Sequence, residues 1–150
     1  MTADLPKPVQ RPLTLILTIK SEDDFRQLAQ LLEHSQSDPN SSLRKALDDI
    51  GTVHFARFVF LENNTKLAVI TTFDGELETY LSQFVNTIGD VFDAILGHVS
   101  PAPPLPVKDN TREFFEFIKQ HDMKTIGPFY SAYPRLTVKQ IRALSPGTEK

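Results

Sequence analysis

Apolar positions in LTLILTIK (13–20) recur at every second residue. Leu13, Leu15, Leu17 and Ile19 fall on one face of a strand, and Thr14, Ile16, Thr18 and Lys20 fall on the other. The pattern then lengthens to a helical period. After SEDD, where Ser21 and Asp24 have the spacing of a capping pair, Phe25, Leu28, Ala29 and Leu32 form a stripe. HSQSDPNSS reads as a loop, and Leu43, Ala46, Leu47 and Ile50 form a second helix with Gly51 at its C′ position.

TVHFARFVFLENNTKLAVITTF returns to a period of two and predicts a hairpin turning at Asn63-Asn64, a pair suited to a two-residue type I′ loop. That turn sets the register, and the register assigns the faces. His54, Ala56, Phe58 and Phe60 are placed with Leu67, Val69 and Phe73; Phe55, Arg57 and Val59 are placed opposite, with Ala68, Ile70 and Thr72. On this register His54 and Arg57 serve different surfaces.

Leu77, Tyr80, Leu81, Phe84 and Ile88 make the stripe of a further helix, begun by Asp74 or Gly75 and open to a kink at Gly89. HVSPAPPLPV (98–107) is too rich in proline for a central strand and predicts a short edge strand running into a connector. NTREFFEFIKQHDM places Phe114, Phe117, Ile118 and His121 on one stripe. FYSAYP is extended, and TVKQIRAL closes as a short helix capped by Thr137.

The order strand, helices, strand, strand, helix, edge strand predicts an α+β domain: a ferredoxin-like βαββαβ unit, its antiparallel sheet covered by helices on one face, with extra C-terminal helices. Residues 1–12, with prolines at 6, 8 and 12, read as a flexible tail; 13–150 read as a single domain whose C-terminal extension begins near residue 108. Leu13, Leu15, Leu17, Phe58, Phe60, Leu67 and Val69 mark the helix-covered face. The opposite face mixes Ile16, Phe55, Val59 and Ile70 with Thr18, Lys20, Arg57 and Thr72, and calls for a cover: a second subunit, the C-terminal region or a ligand.

Composition narrows the classes. With 150 residues, 40% hydrophobic and 23% charged, the chain is long enough for one ordinary core. A net charge of −3 argues against nucleic-acid binding, and the absence of cysteine excludes disulfides, thiolate metal sites and a cysteine nucleophile. No segment approaches the roughly 18 apolar residues of a membrane span, and the opening MTADLPKPVQRP lacks the apolar stretch of a signal peptide. A soluble cytoplasmic protein is expected.

Element order over residues 13–100 and the amphipathic open face resemble the dimeric α+β barrel group, in which two ferredoxin-like units pack their open faces together. HFARFVF, TTFDG and FYSAYPRLTVKQI also resemble blocks in uncharacterised bacterial proteins, some with haem-peroxidase-type neighbours. The resemblance implies a homodimer. It leaves the activity open, since the group includes cofactor-independent oxygenases, haem-binding enzymes and proteins with no known activity. TTFDG matches the G-x-x-D-G signature of dye-decolourising peroxidases only in its last two residues, with Thr71 in place of the first glycine, so no catalytic role transfers.

The candidate residues follow from these faces. His54 is a candidate general base or haem ligand against a plainer role as a strand-end histidine packed on Phe73. His121 is a candidate axial haem ligand against a role in its helix stripe. Arg57 can clamp a carboxylate between the walls of Phe55 and Ile70, with Thr18, Lys20 and Thr72 on the same face, or can pair with an acid. Tyr130 and Tyr133 are phenolic donors or anchors of a terminal segment. His34, His54, His98 and His121 have no zinc-site spacing, so no metal is indicated, and nucleophile and phosphate motifs are missing. An RNA-recognition domain shares the element order, but Arg57 stands where its strand motif needs an aromatic.

The leading expectation is a ligand-binding or accessory domain that takes a small apolar or anionic molecule on the open face. A small oxygenase or haem-dependent enzyme, and a structural dimerisation module, are the alternatives.

Overall fold

The computed structural model describes residue 5 and residues 7–144. Three antiparallel strands, β1 (Gln10–Thr18), β2 (Val53–Leu61) and β3 (Lys66–Asp74), form one sheet in the order β1-β3-β2. Helices α1 (Glu22–Ser37) and α2 (Ser42–Ile50) link β1 to β2, and α3 (Leu77–Leu96) follows β3. A 3-10 turn at Val107–Asp109, α4 (Thr111–His121) and α5 (Val138–Leu144) complete an α+β fold.

Local chemistry sets the element ends. Ser21 Oγ accepts from Asp24 N at 3.1 Å and starts α1; Ser41 Oγ accepts from Arg44 N at 3.1 Å and starts α2. Gly51 ends α2 with φ of 68°, a left-handed conformation that costs an L-residue about 1–2 kcal/mol. Gly51→Ala is therefore expected to lower stability by about 1 kcal/mol in a urea melt, and no measurable loss would contradict this. Ile88, with φ −138° and ψ 39°, breaks α3 beside Gly89, where the sequence is open to a kink.

The sheet departs from expectation at both ends. β1 begins at Gln10, so the last three residues of the expected tail are strand, and Pro12 is tolerated because β1 is not a central strand. The hairpin is not a two-residue turn. Glu62, Asn63 and Asn64 all take positive φ (52°, 55° and 65°) in a four-residue loop closed by the Leu61–Lys66 pair. The register from Leu61 back to Phe55 is nonetheless the expected one, because both loops leave Leu61 opposite Lys66. Beyond Phe55 a bulge shifts it, and Val53, not His54, opposes Phe73.

Where a split βαββαβ unit places a fourth strand, the chain makes a single bridge, Val99 with Ile19. Lys20 N donates to His98 O (3.0 Å) and Ser100 N to Thr18 O (2.9 Å) on either side. Prolines 101, 103, 104 and 106 follow at once and cannot donate to a ladder, which stops the strand at its first pair. Further along the same edge of β1, Thr14 N donates to Asp122 Oδ1 (3.0 Å) and Met123 N to Thr14 O (2.7 Å).

The core lies between α2, α3, α4 and the face carrying Leu13, Leu15, Leu17 and Phe73, with a second cluster around Leu28 and Leu67. Each such side chain contributes about 1.5–3 kcal/mol by burial. Phe73 stacks on Tyr80 (centroids 4.1 Å, planes 9° apart), and Tyr80 meets Phe84 edge-on at 5.2 Å.

Candidate functional site

After α4 the chain returns to the sheet. Val9 N donates to Pro134 O at 2.7 Å, and Gln10 Nε2 donates to Tyr133 O (2.8 Å) and Leu136 O (2.7 Å). Thr137 and Gln140 then cap α5 reciprocally: Thr137 N to Gln140 Oε1 at 2.8 Å, Gln140 N to Thr137 Oγ1 at 3.2 Å. Arg142 Nη1 ties α5 to Asp48 O of α2 at 3.1 Å. The C-terminal segment thus runs from β1 to the start of β2.

Asp74 anchors this path. Its Oδ1 lies 2.7 Å from His54 Nε2, and its Oδ2 accepts from Val138 N at 2.8 Å. The two side chains are only 8% and 9% exposed, so neither partner can turn to water instead. The sequence reads Asp74 as the cap of the helix that follows it. It caps α5, which lies sixty-four residues further along the chain; Glu76 occupies the N-cap of α3 without a side-chain bond.

The bulge decides where His54 points. It lines a cleft of about 410 Å³ together with Phe55 and Thr72 of the open face, and not the helix-covered side with Ala56 and Phe58. His54 and Arg57 therefore belong to the same side of the sheet, contrary to the sequence register. Gln10, Tyr130, Ser131 and Tyr133 complete the polar lining of the cleft. Phe55, Tyr130 and Tyr133 are exposed aromatics, Phe55 at 76%. HFARFVF, TTFDG and FYSAYP, far apart in the chain, meet here.

The other expected residues spread along the sheet. Arg57 and Ile70 oppose each other one step beyond Phe55 and Thr72 on the same face. Arg57 is exposed and, among the described residues, makes no ion pair, so the expected cost of a buried guanidinium does not arise. Thr18 pairs with Lys66, six residues from Thr72 on β3 and about 20 Å away at ~3.3 Å per residue. Its Oγ1 accepts from Lys66 Nζ at 2.9 Å, and Lys20 lies in a separate hollow with Asn63 and Asn64. Phe55 and Thr72 thus share a site that Thr18 and Lys20 do not reach.

His121 is apart from both. Its Nδ1 donates to Phe117 O at 2.8 Å and its ring lies 4.1 Å from that of Phe117, the arrangement of a helix-end histidine. His98 Nδ1 lies 2.8 Å from Asp24 Oδ1. The Ser21 hydroxyl first, and His98 next, hold the Asp24 carboxyl below its usual range. Among the described residues no three His, Asp or Glu side chains gather as a metal site, and no helix is long and apolar enough to cross a membrane.

On the helix side, Tyr80 is buried beside the Thr71 hydroxyl. Burial pushes the Tyr80 phenol above its ordinary value, with the Thr71 hydroxyl acting in the opposite direction. The unfolded chain then ionises first, so stability is intact below about pH 10 and falls as pH rises above it. Tyr80→Phe is expected to flatten that alkaline decline in melting temperature; an unchanged decline would contradict the assignment.

The fold and site define an α+β domain with a helix-covered sheet face and an open face that ends in an aromatic cleft. No protein-family model, curated protein or solved structure matches the chain.

Proposed function

We propose that the chain is a ligand-binding domain of ferredoxin-like type that takes a small aromatic anion on its open sheet face. The observation that carries this reading is the gathering of exposed Phe55, Tyr130 and Tyr133 around the cleft beside the His54–Asp74 pair. Its volume is within the ordinary range for small-molecule sites, and exposed rings clustered in a concavity are what such sites present. Arg57, on the same face and two residues from Phe55, supplies charge for the anionic end of the ligand. The ferredoxin-like assignment rests on element order and on Val99 standing at the outer edge of β1. Binding is favoured over catalysis because His54 and Asp74 already have a task, the anchoring of α5.

A homodimer through the same face is the second reading, with a cytoplasmic setting expected for both. It is favoured by β2, which pairs with β3 alone among the described residues and carries exposed Phe55 and Arg57 on an outer strand. Titration with 1-anilinonaphthalene-8-sulfonate, an aromatic anion, separates the two. Saturable binding is expected, weakened about tenfold by Arg57→Ala and similarly by Phe55→Ala. Binding indifferent to both substitutions would overturn the proposal. A dimer dissociated by both, with no binding of the probe, would leave the second reading standing.

A further inference from the structure

The His54–Asp74 pair leaves one ring nitrogen unused. Asp74 already takes two donors, His54 Nε2 at 2.7 Å and Val138 N at 2.8 Å. A carboxylate accepts and does not donate, so the network assigns the imidazole proton to Nε2. In the neutral ring Nδ1 is then an acceptor. It has no hydrogen-bond partner among the described residues. The His54 side chain lines the cleft while only 8% exposed, and its bond to Asp74 fixes the direction in which Nδ1 points. Gln10 Oε1, in the same lining, is also without a donor but is closed off from solvent; His54 Nδ1 is not closed off.

A fixed acceptor on a nearly buried ring calls for a donor, because a ligand that covered it without one would forfeit its hydrogen bond to water. The neighbouring rings of Phe55, Tyr130 and Tyr133 set the body to which that donor is attached. Resting on the reading of the cleft as a site for an aromatic anion, we propose that its ligand is an aromatic carboxylic acid with a para hydroxyl group, and that His54 Nδ1 accepts the hydrogen bond from that hydroxyl. His54 and Arg57 lie on the same side of the sheet, three residues apart on β2, which is about 10 Å at ~3.3 Å per residue. A ring laid along the strand reaches Arg57 with its carboxylate and His54 with a hydroxyl at its other end. An ortho hydroxyl, next to the carboxylate, stays at the Arg57 end. Asp74 is the positioning residue: it orients the imidazole and keeps the proton on the nitrogen away from the ligand.

The full chain is titrated with para-hydroxybenzoate, benzoate and ortho-hydroxybenzoate at about pH 8, where an imidazole is largely neutral and a phenol keeps its proton. The para compound is expected to bind about fivefold more tightly than benzoate, the gain of one hydrogen bond, and the ortho compound within about twofold of benzoate. With the histidine ring nitrogens isotope-labelled for NMR, His54 Nδ1 is expected to shift with para-hydroxybenzoate and not with benzoate, a readout that needs no substitution. His54→Gln keeps an N–H for Asp74 and removes the ring acceptor. It is expected to bring para-hydroxybenzoate within about twofold of benzoate while leaving benzoate unchanged. Equal affinities for the para compound and benzoate, an equal gain for the ortho compound, a preference that survives His54→Gln, or an Nδ1 signal indifferent to the hydroxyl would each overturn the inference. Binding of 1-anilinonaphthalene-8-sulfonate as expected above would then leave the reading of the cleft in place. Failure of that probe and of all three acids to bind would remove the reading and the inference together.

Discussion

Asp74→Ala is expected to lower the unfolding free energy by about 3 kcal/mol. The substitution strands two groups together. His54 Nε2 loses its partner inside a nearly closed site, and Val138 N, at the start of α5, loses its cap. A lost helix cap alone costs about 1 kcal/mol, and an unpaired buried polar group costs about 1–3 kcal/mol. Asp74→Asn keeps an acceptor and is expected to lose about half as much. Urea melts give the size of the effect. Hydrogen exchange gives its place: amides of 136–144 are expected to lose protection before those of the sheet. A loss below about 1 kcal/mol, less than the sum of the two terms, would mean that the C-terminal segment is held by its backbone bonds to Val9 and Gln10 instead.

Phe73→Ala has the other large effect, about 3–5 kcal/mol. Phe73 is 2% exposed, next to Asp74 on β3, and its ring lies flat on that of Tyr80. Truncation removes that stack and opens a void where β3 meets α3, the wall that Thr71 shares. Phe73→Leu, which refills much of the volume, is expected to cost about 1–2 kcal/mol. The measurement is again the equilibrium melt, with near-ultraviolet dichroism following the Tyr80 ring. Equal losses for the two variants would show that the stack, not the volume, is what Phe73 contributes.

These two residues show how far the sequence can be read. Alternation placed Phe73 on the core face and Leu61 opposite Lys66, because the period of two survives a change of turn type. The same alternation failed at His54. A bulge adds one residue to one strand, and the run VHFAR gives no glycine or proline to announce it. Asp74 departs for a different reason: local spacing offers it α3, while its actual partner is brought near only by the path of the C-terminal segment. Gln10, in the expected tail, holds that segment through two carbonyls that no local pattern links to it. Thr71 is a hydroxyl on a strand face otherwise filled by Leu, Val and Phe, a mismatch that calls for a polar neighbour, and Tyr80 of α3 supplies it.

The cleft follows from this set of departures. Without the bulge His54 would face the helices, and without the bonds from Val9 and Gln10 to Pro134, Tyr133 and Leu136 the tyrosines would not be held near Phe55. Its polar and aromatic residues come from β1, β2, β3 and the C-terminal segment, which is why no contiguous motif describes it.

The most direct test is to map the amide shifts of the full chain on addition of 1-anilinonaphthalene-8-sulfonate. Saturable shifts are expected, concentrated at Phe55, Arg57, Thr72 and 130–133, with the amides of α1 and α2 unmoved. Shifts centred on the helix-covered side, or none that saturate, would contradict the proposal.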